Sequence, residues 1–468
     1  MGLCGFSSAR SVLFLMQRQK IHRHFLVKLP GVSGQVRWRG TCGPVPVLTA
    51  TPTRALVDEP VKLKGYHLPP NSPVTMRARM MSEDGDLWQS MSHYHSDENG
   101  VVDLTKHSSV GGSYVGCEPM GLFWSLQPQQ KPLRLRKLNV ETPFTVNVSM
   151  LEGHVSPANP SENQQTTGER ELAAVSLQRW YMAPGVRRIV IRQNQVVGTL
   201  FLPPGPGPFP ALLDLWGLGR GLVEYRAALL ASRSFACMTL AYFDHEDLPG
   251  PPKRINVGDS YMKAAWQLLK DHPQVCEDRI AIMGISFGVL VALRIATYPS
   301  VHPRCVVCIN GPIGSISKIF NEDGENADGE QTHWGFNDQG LSFQEVSKPC
   351  NVPPENFVQV ENLRCPVMFI VGEDDLSCAS EENADEVERR LGAVGKSHLV
   401  TLVSYPGAGH LIECPYTPTS RSSIFSNRPT PMMIVWGGNL AQHAVAQEDS
   451  WRRILAFLEQ HLREEGRT

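Results

Sequence analysis

Arg279-Ile280-Ala281-Ile282-Met283-Gly284-Ile285-Ser286-Phe287-Gly288-Val289-Leu290-Val291 is the run on which the fold of this chain turns. It opens as a compact apolar strand, passes through a Gly-x-Ser-x-Gly pentapeptide and leaves as an apolar helix that continues to Ala296. Ser286 therefore sits on the turn between strand and helix, the nucleophile-elbow pattern. Such a turn is strained, and small residues two positions to either side of the serine let the two backbones approach while the hydroxyl projects outward. The pentapeptide alone occurs by chance in many proteins. The apolar strand before it and the apolar helix after it make Ser286 a candidate catalytic residue.

Outward from this run the chain alternates strand, turn and helix. Residues 188–192 and 196–202 read as an entering hairpin, and 210–216 as an apolar strand ending at Gly217, Gly219 and Gly221. A helix at 225–231 and a strand at 236–241 follow. Over 260–270, Met262, Ala265, Trp266 and Leu269 recur at i, i+3, i+4 and i+7, an amphipathic helix covering one sheet face. Strands are expected at 305–309, 366–371 and 399–404, and a last helix carries Trp451, Ile454, Leu455, Leu458 and Leu462 on one face. Units of this kind build a mostly parallel sheet with helices on both sides.

A serine hydroxyl is a poor nucleophile near neutral pH, so Ser286 needs a base to take its proton and an acid to orient that base. On an α/β-hydrolase sheet the chain order is Ser, then Asp or Glu, then His. The strand at 366–371 ends in Gly372, Glu373, Asp374 and Asp375, and the next runs through Gly407 and Gly409 to His410. Both are carboxyl ends of strands, the edge where ligands sit in open parallel sheets. Asp375, three residues past the strand-closing glycine, is assigned as the orienter, with Asp374 as the second choice. His410 is the base. His443 is its rival and reads better as a structural or supporting residue, and His398 precedes its strand, at the wrong end. The substrate oxyanion needs preorganised donors. One is the backbone N–H of Phe287, and the other belongs to the loop after 210–216, at Gly217 or Leu218; an ordinary tight turn is the competing reading of these glycines.

The N-terminal half has a different rhythm. From 46 to 151, short segments alternate apolar and polar residues (Val61, Leu63 and Gly65; Val74, Met76, Ala78 and Met80; Phe144, Val146 and Val148) between turn residues, which argues for an antiparallel, immunoglobulin-like β-sandwich. Residues 152–178 are polar and punctuated and read as a linker, leaving 179–464 as the α/β-hydrolase domain. His93 and His95 share a strand face, with no third metal ligand evident. An irregular stretch from 311 to 363 contains an acidic piece at 321–330, a lid over the site or a surface loop. No metal or cofactor is called for.

At 468 residues the chain exceeds one typical domain, and its 44 basic and 46 acidic residues, net charge −2, argue against a generic nucleic-acid or membrane-surface binder. Eleven cysteines without repeated spacing suit buried thiols in a reducing compartment. Cys305 and Cys308 form a Cys-x-x-Cys inside a strand and read as core residues rather than a redox pair or half a zinc site. The first acidic residue is Asp58, whereas Arg10, Arg18, Lys20, Arg23, Lys28, Arg37, Arg39 and Arg54 precede it. Residues 1–45 thus read as a mitochondrial transit peptide, cleaved before Val47, with an unprocessed extension as the alternative. No apolar run approaches the roughly 20 residues of a spanning helix, so no stable membrane insertion is expected.

Further residues recur in a recognisable order. They are Gly111, Gly112, Ser113 and Tyr114; Gly198-Thr199-Leu200-Phe201-Leu202-Pro203-Pro204; Glu224, Tyr225, Arg226 and Ala227; Glu246, Asp247, Leu248 and Pro249; Gly409-His410-Leu411-Ile412-Glu413; and Trp436, Gly437 and Gly438. With the elbow and the 371–375 turn, the chain over 46–462 resembles the α/β-hydrolase acyl-coenzyme A thioesterases and their close relative, bile acid-CoA:amino acid N-acyltransferase. The resemblance implies a β-sandwich before a hydrolase domain, cleavage of a fatty acyl-CoA substrate to free acid and coenzyme A, and a triad of Ser286, Asp375 and His410. In the acyltransferase branch the nucleophile is typically cysteine, so serine favours hydrolysis over transfer to glycine or taurine. The chain departs from the family at apolar Val289 and Leu290, at Arg220 within the glycine cluster and at Cys414, where proline is common. These departures motivate a third reading, a non-catalytic acyl-CoA-binding relative. The mitochondrial matrix is the expected location, with cytoplasm or peroxisome as alternatives.

Overall fold

The computed structural model describes residues 44–156, 169–218, 221–250, 255–316, 335–337, 340–426 and 432–463. The basic segment read as a transit peptide is therefore almost wholly outside the described residues, as are Arg220 and the acidic piece 321–330.

In the N-terminal part, Val47–Thr51, Lys62–Tyr66 and Val102–Asp103 form a three-stranded antiparallel sheet. It faces a larger sheet in which Phe144–Glu152 and Pro73–Met81 pair antiparallel, followed outward by Leu87–His95 and Gly111–Gly112. The facing is tight at Gly65, where an added Cβ would lie 2.5 Å from the sulfur of Met150. The alternation read at Val74, Met76, Ala78 and Met80 is the inner face of this sandwich, and all four are buried.

The linker expected over 152–178 needs correction. Glu171–Trp180 is a strand of the larger sheet, antiparallel to Phe144–Glu152 and parallel to Arg54–Leu56. It lacks a strand signature because only Leu177 and Arg179 along it are buried.

The C-terminal part is organised on one eight-stranded sheet, whose strands are β1 (Arg187–Gln193), β2 (Val196–Leu202), β3 (Phe209–Leu215), β4 (Ala236–Leu240), β5 (Val275–Ile285), β6 (Val306–Ile309), β7 (Val367–Gly372) and β8 (Val400–Tyr405). Their order across the sheet is β1-β2-β4-β3-β5-β6-β7-β8, antiparallel at β1-β2-β4 and parallel from there on. This is the α/β-hydrolase sheet. Strands β4, β6 and β7 are buried at every residue, as parallel strands covered on both faces must be. The helices are α1 (Tyr225–Ser232), α2 (Asp259–Lys270), α3 (Phe287–Ala296), α4 (Ser380–Ala393) and α5 (Leu440–Leu462). Helix α3 is buried on every side except at Arg294, which explains why Val289 and Leu290 are apolar. Cys305 and Cys308 are free, fully buried thiols in the core beside β5.

Part of the stretch read as irregular between 311 and 363 is ordered. Gly335–Asn337 and Gly340–Ser342 join Met432–Val435 and Ser422–Ser426 in a small four-stranded sheet.

Candidate active site

The elbow forms because β5 runs directly into α3 and the chain reverses at a single residue. Ser286 takes φ 58° and ψ −133°, a left-handed-side conformation that L-residues adopt only under constraint. The constraint is local crowding. A Cβ on Gly284 would collide with the carbonyl oxygen of Gly288, and one on Gly288 would lie 2.5 Å from that of Leu215, so both flanking positions must be glycine.

His410 arrives on the loop after β8. Its Nε2 lies 2.8 Å from Ser286 Oγ, and its Nδ1 lies 2.8 Å from Oδ2 of Asp375. His410 is 1 % exposed and Asp375 4 %, whereas Ser286 keeps a partly open face. Asp375 follows β7 on a turn that saturates its carboxylate. Oδ1 accepts from the amides of Ser377 (2.8 Å) and Cys378 (2.9 Å), and Oδ2 accepts from the Ser380 hydroxyl at 2.6 Å as well as from His410. The neighbouring Asp374 points elsewhere: its Oδ2 accepts from Arg421 (2.6 Å) and from the amide of Gly438 (2.9 Å).

His443 does not reach Ser286. It lies on α5, fully buried, where its Nε2–H donates to the Leu411 carbonyl (2.8 Å) and its Nδ1 accepts from the Gly409 amide (3.0 Å). It thereby grips the backbone on both sides of His410. Burial pushes its pKa below the ordinary 6.5 and keeps the ring neutral, the state that can donate at one nitrogen and accept at the other.

Two supports have no strong sequence signal. Asn310, at the end of β6 with φ 42°, donates through Nδ2 to the carbonyls of Gly409 (3.0 Å) and His410 (2.8 Å), and accepts from the Gly372 amide at 2.8 Å. It joins the ends of β6, β7 and the histidine loop. Trp436 stacks on the His410 ring at 5.7 Å between centroids with planes 13° apart, and its carbonyl accepts from the His410 amide at 2.8 Å.

Of the oxyanion candidates, Phe287 is the first residue of α3, where helix N–H dipoles favour negative charge. Gly217 lies against Ser286, since an added Cβ would be 2.8 Å from Ser286 Cβ and 2.9 Å from its Oγ. Leu218 is half-buried at the edge of the core beneath. A fully buried ion pair holds the start of this loop. Asp214 accepts from Arg226 (2.8 Å) and from the Trp216 indole (2.9 Å), and the Arg226 guanidinium lies 4.3 Å from the centre of the Trp216 ring. Burial raises the Asp214 pKa despite Arg226, the mark of a carboxylate far from water.

Among the described residues no group of three or more His, Cys, Asp or Glu side chains could hold a metal ion, and no helix is long and apolar enough to cross a membrane. His93 meets His154 in a ring stack at 4.9 Å and hydrogen-bonds Thr75.

Residues 258–464 match the family model described as BAAT / acyl-CoA thioester hydrolase C terminal, and residues 58–193 match its partner, the acyl-CoA thioester hydrolase/BAAT N-terminal region. The chain is 37 % identical over 419 residues to human acyl-coenzyme A thioesterase 1, a match covering 87 % of this chain and 95 % of the relative. It is equally identical to human acyl-coenzyme A thioesterase 2, mitochondrial, covering 87 % of this chain and 83 % of the relative. Human bile acid-CoA:amino acid N-acyltransferase is 38 % identical over 421 residues, covering 89 % of this chain and 97 % of the relative.

Proposed function

The chain belongs to the acyl-CoA thioester hydrolase/BAAT family, and from that premise we propose that it hydrolyses fatty acyl-CoA to free fatty acid and coenzyme A through an acyl-serine. The observation that carries this reading is the imidazole of His410 at 2.8 Å from both Ser286 Oγ and the Asp375 carboxylate. Asp375 holds the proton on Nδ1, leaving Nε2 free to take the Ser286 hydroxyl proton as Oγ attacks the thioester carbonyl. The oxyanion is received by the backbone N–H of Phe287 and by the loop at Gly217 and Leu218. As the tetrahedral carbon collapses the C–S bond breaks, the thiolate leaves and the imidazolium returns the proton to sulfur. A thiol pKa of about 8.5, by analogy with cysteine, makes that departure easy. Water then attacks the acyl-serine while His410 takes its proton, and collapse returns that proton to Ser286 Oγ, releasing the fatty acid.

The test is release of coenzyme A from palmitoyl-CoA by the full chain, with and without glycine or taurine. Wild-type protein should release free acid as the main product, and Ser286→Ala should fall to background. Substantial turnover by Ser286→Ala would refute the mechanism. Conjugates as the main product would instead favour amino acid transfer, which the similarity to the N-acyltransferase motivates. Tight binding without turnover would favour the non-catalytic reading.

The same reading locates the enzyme in the mitochondrial matrix, on the strength of the acid-free basic segment before Asp58 and of the relative named as mitochondrial. Sequencing the amino terminus of the protein from isolated mitochondria should find it starting near Val47.

A further inference from the structure

We propose that Arg134, carried by the N-terminal part of the chain, is a positioning residue for His410, so that the sandwich takes part in catalysis by setting the geometry of the base. The proposal rests on the serine-hydrolase reading above and adds to it a residue that no triad pattern contains.

After the short strand Gln127–Pro128 the chain leaves the sandwich sheet and is stitched to the hydrolase part. Gln127 Nε2 donates to the Thr419 carbonyl (3.0 Å), the Ser420 hydroxyl to the Leu133 carbonyl (2.7 Å), and the Ile424 amide to the Pro132 carbonyl (2.9 Å). These bonds deliver Arg134 to the edge of the site. Its Nε donates to Glu413 Oε1 at 3.1 Å, its Nη2 donates to the same oxygen, and Nη2 also reaches the Tyr225 hydroxyl at 3.3 Å. Tyr225 in turn donates to the other oxygen of Glu413 at 2.6 Å, so carboxylate, phenol and guanidinium close a ring of hydrogen bonds.

This ring reaches the residues that adjoin both His410 and Ser286. Glu413 lies three residues beyond His410 on the same loop. The Arg134 guanidinium lies 5.9 Å from the ring centres of both Trp216 and Trp436, within reach of a cation–π contact. Trp436 is the ring stacked on His410, and Trp216 directly precedes the Gly217 that abuts Ser286. One side chain from the N-terminal part, on the stretch that leaves the sandwich sheet, therefore braces the loop of the base and the loop of the oxyanion site together.

The ion pair is held largely out of water. The Arg134 and Glu413 side chains are 19 % and 12 % exposed, and although burial works against the charge, Glu413 and Tyr225 outweigh it and raise the Arg134 pKa. Removing the cation would strand a largely buried carboxylate, which must then seek water or a new partner and carry the histidine loop with it. Lysine keeps the charge but not the planar fork.

The experiment compares full-length wild type, Arg134→Gln and Arg134→Lys by CoA release from palmitoyl-CoA, by the rate at which a fluorophosphonate labels Ser286, and by thermal melting. A displaced base should lower kcat about tenfold to a hundredfold in Arg134→Gln and slow labelling by a similar factor, with KM within about threefold of wild type. Arg134→Lys should fall between the two. A purely structural role would lower the melting temperature while leaving the labelling rate of the folded protein unchanged, and that result overturns the proposal, as does a loss carried by KM alone. If Arg134→Gln does not fold, Arg134→Lys decides: wild-type kcat and labelling in that variant overturn the proposal. Ser286→Ala, assayed alongside, separates the two claims, because turnover by that variant would refute the serine mechanism whatever Arg134 does.

Discussion

Replacing Asp375 by asparagine removes one negative charge and changes almost no volume, yet the hydrogen bonds around it dictate a large loss. The carboxylate accepts from two backbone amides at Oδ1 and from Ser380 and His410 at Oδ2. An amide has one oxygen. The amides of Ser377 and Cys378 cannot rotate away, so they hold that oxygen, and the NH2 group is turned toward His410 Nδ1. Facing a donor, Nδ1 must become an acceptor, which moves the imidazole proton to Nε2, where it points at Ser286 and leaves no base. Serine hydrolases with this tautomer error lose about 10⁴ in kcat, or about 5 kcal/mol of transition-state stabilisation. Asp374→Asn should cost less than about threefold, because its partners are the half-exposed Arg421 and the Gly438 amide, neither of which touches the base. The assay is CoA release from palmitoyl-CoA with Ser286→Ala as the floor. Asp375→Asn within about tenfold of wild type, or Asp374→Asn falling as far as Asp375→Asn, would refute the reasoning.

Gly217→Ala would place a methyl carbon 2.8 Å from Ser286 Cβ, and the strained elbow has no room to retreat. It should lower kcat and fluorophosphonate labelling by about tenfold or more in a folded protein, and unchanged labelling would show that this loop is not beside the reacting atoms. His443 predicts a pH dependence of stability. Its folded pKa lies below 6.5, so as pH falls the unfolded chain takes up a proton that the folded one refuses. The stability it supports is complete above pH 6.5 and declines below it, by up to about 1.4 kcal/mol per pH unit, until the lowered folded pKa is passed. Urea unfolding of wild type and His443→Gln should give a shallower slope below pH 6.5 in the variant, and parallel slopes would contradict the assignment.

What was legible in the sequence is what strand ends and burial encode. The parallel sheet could be read because β3 to β7 are apolar runs separated by turns and helical stripes, and the positions of Ser286 and His410 followed from the ends of β5 and β8. The sequence does not separate adjacent Asp374 and Asp375, because the difference lies in a turn whose amides and Ser380 saturate only Asp375. Asn310 and His443 act on the backbone around His410, and backbone partners leave no pattern in a sequence. Arg134 lies in an irregular stretch of the N-terminal part and meets Glu413 only through tertiary packing. The strand Glu171–Trp180 escaped for a different reason: with one face largely open, it carries too few buried apolar residues to show a period of two.

The most direct test of the account is to find the acyl group itself. Wild-type protein mixed with palmitoyl-CoA, quenched in acid within the first turnover and mapped by peptide mass spectrometry, should carry the acyl chain on the peptide containing Ser286, and the label should vanish on chase as free fatty acid appears. Acyl transfer to a cysteine such as Cys414, or steady hydrolysis with no acyl-serine detected under conditions that preserve an ester, would contradict it.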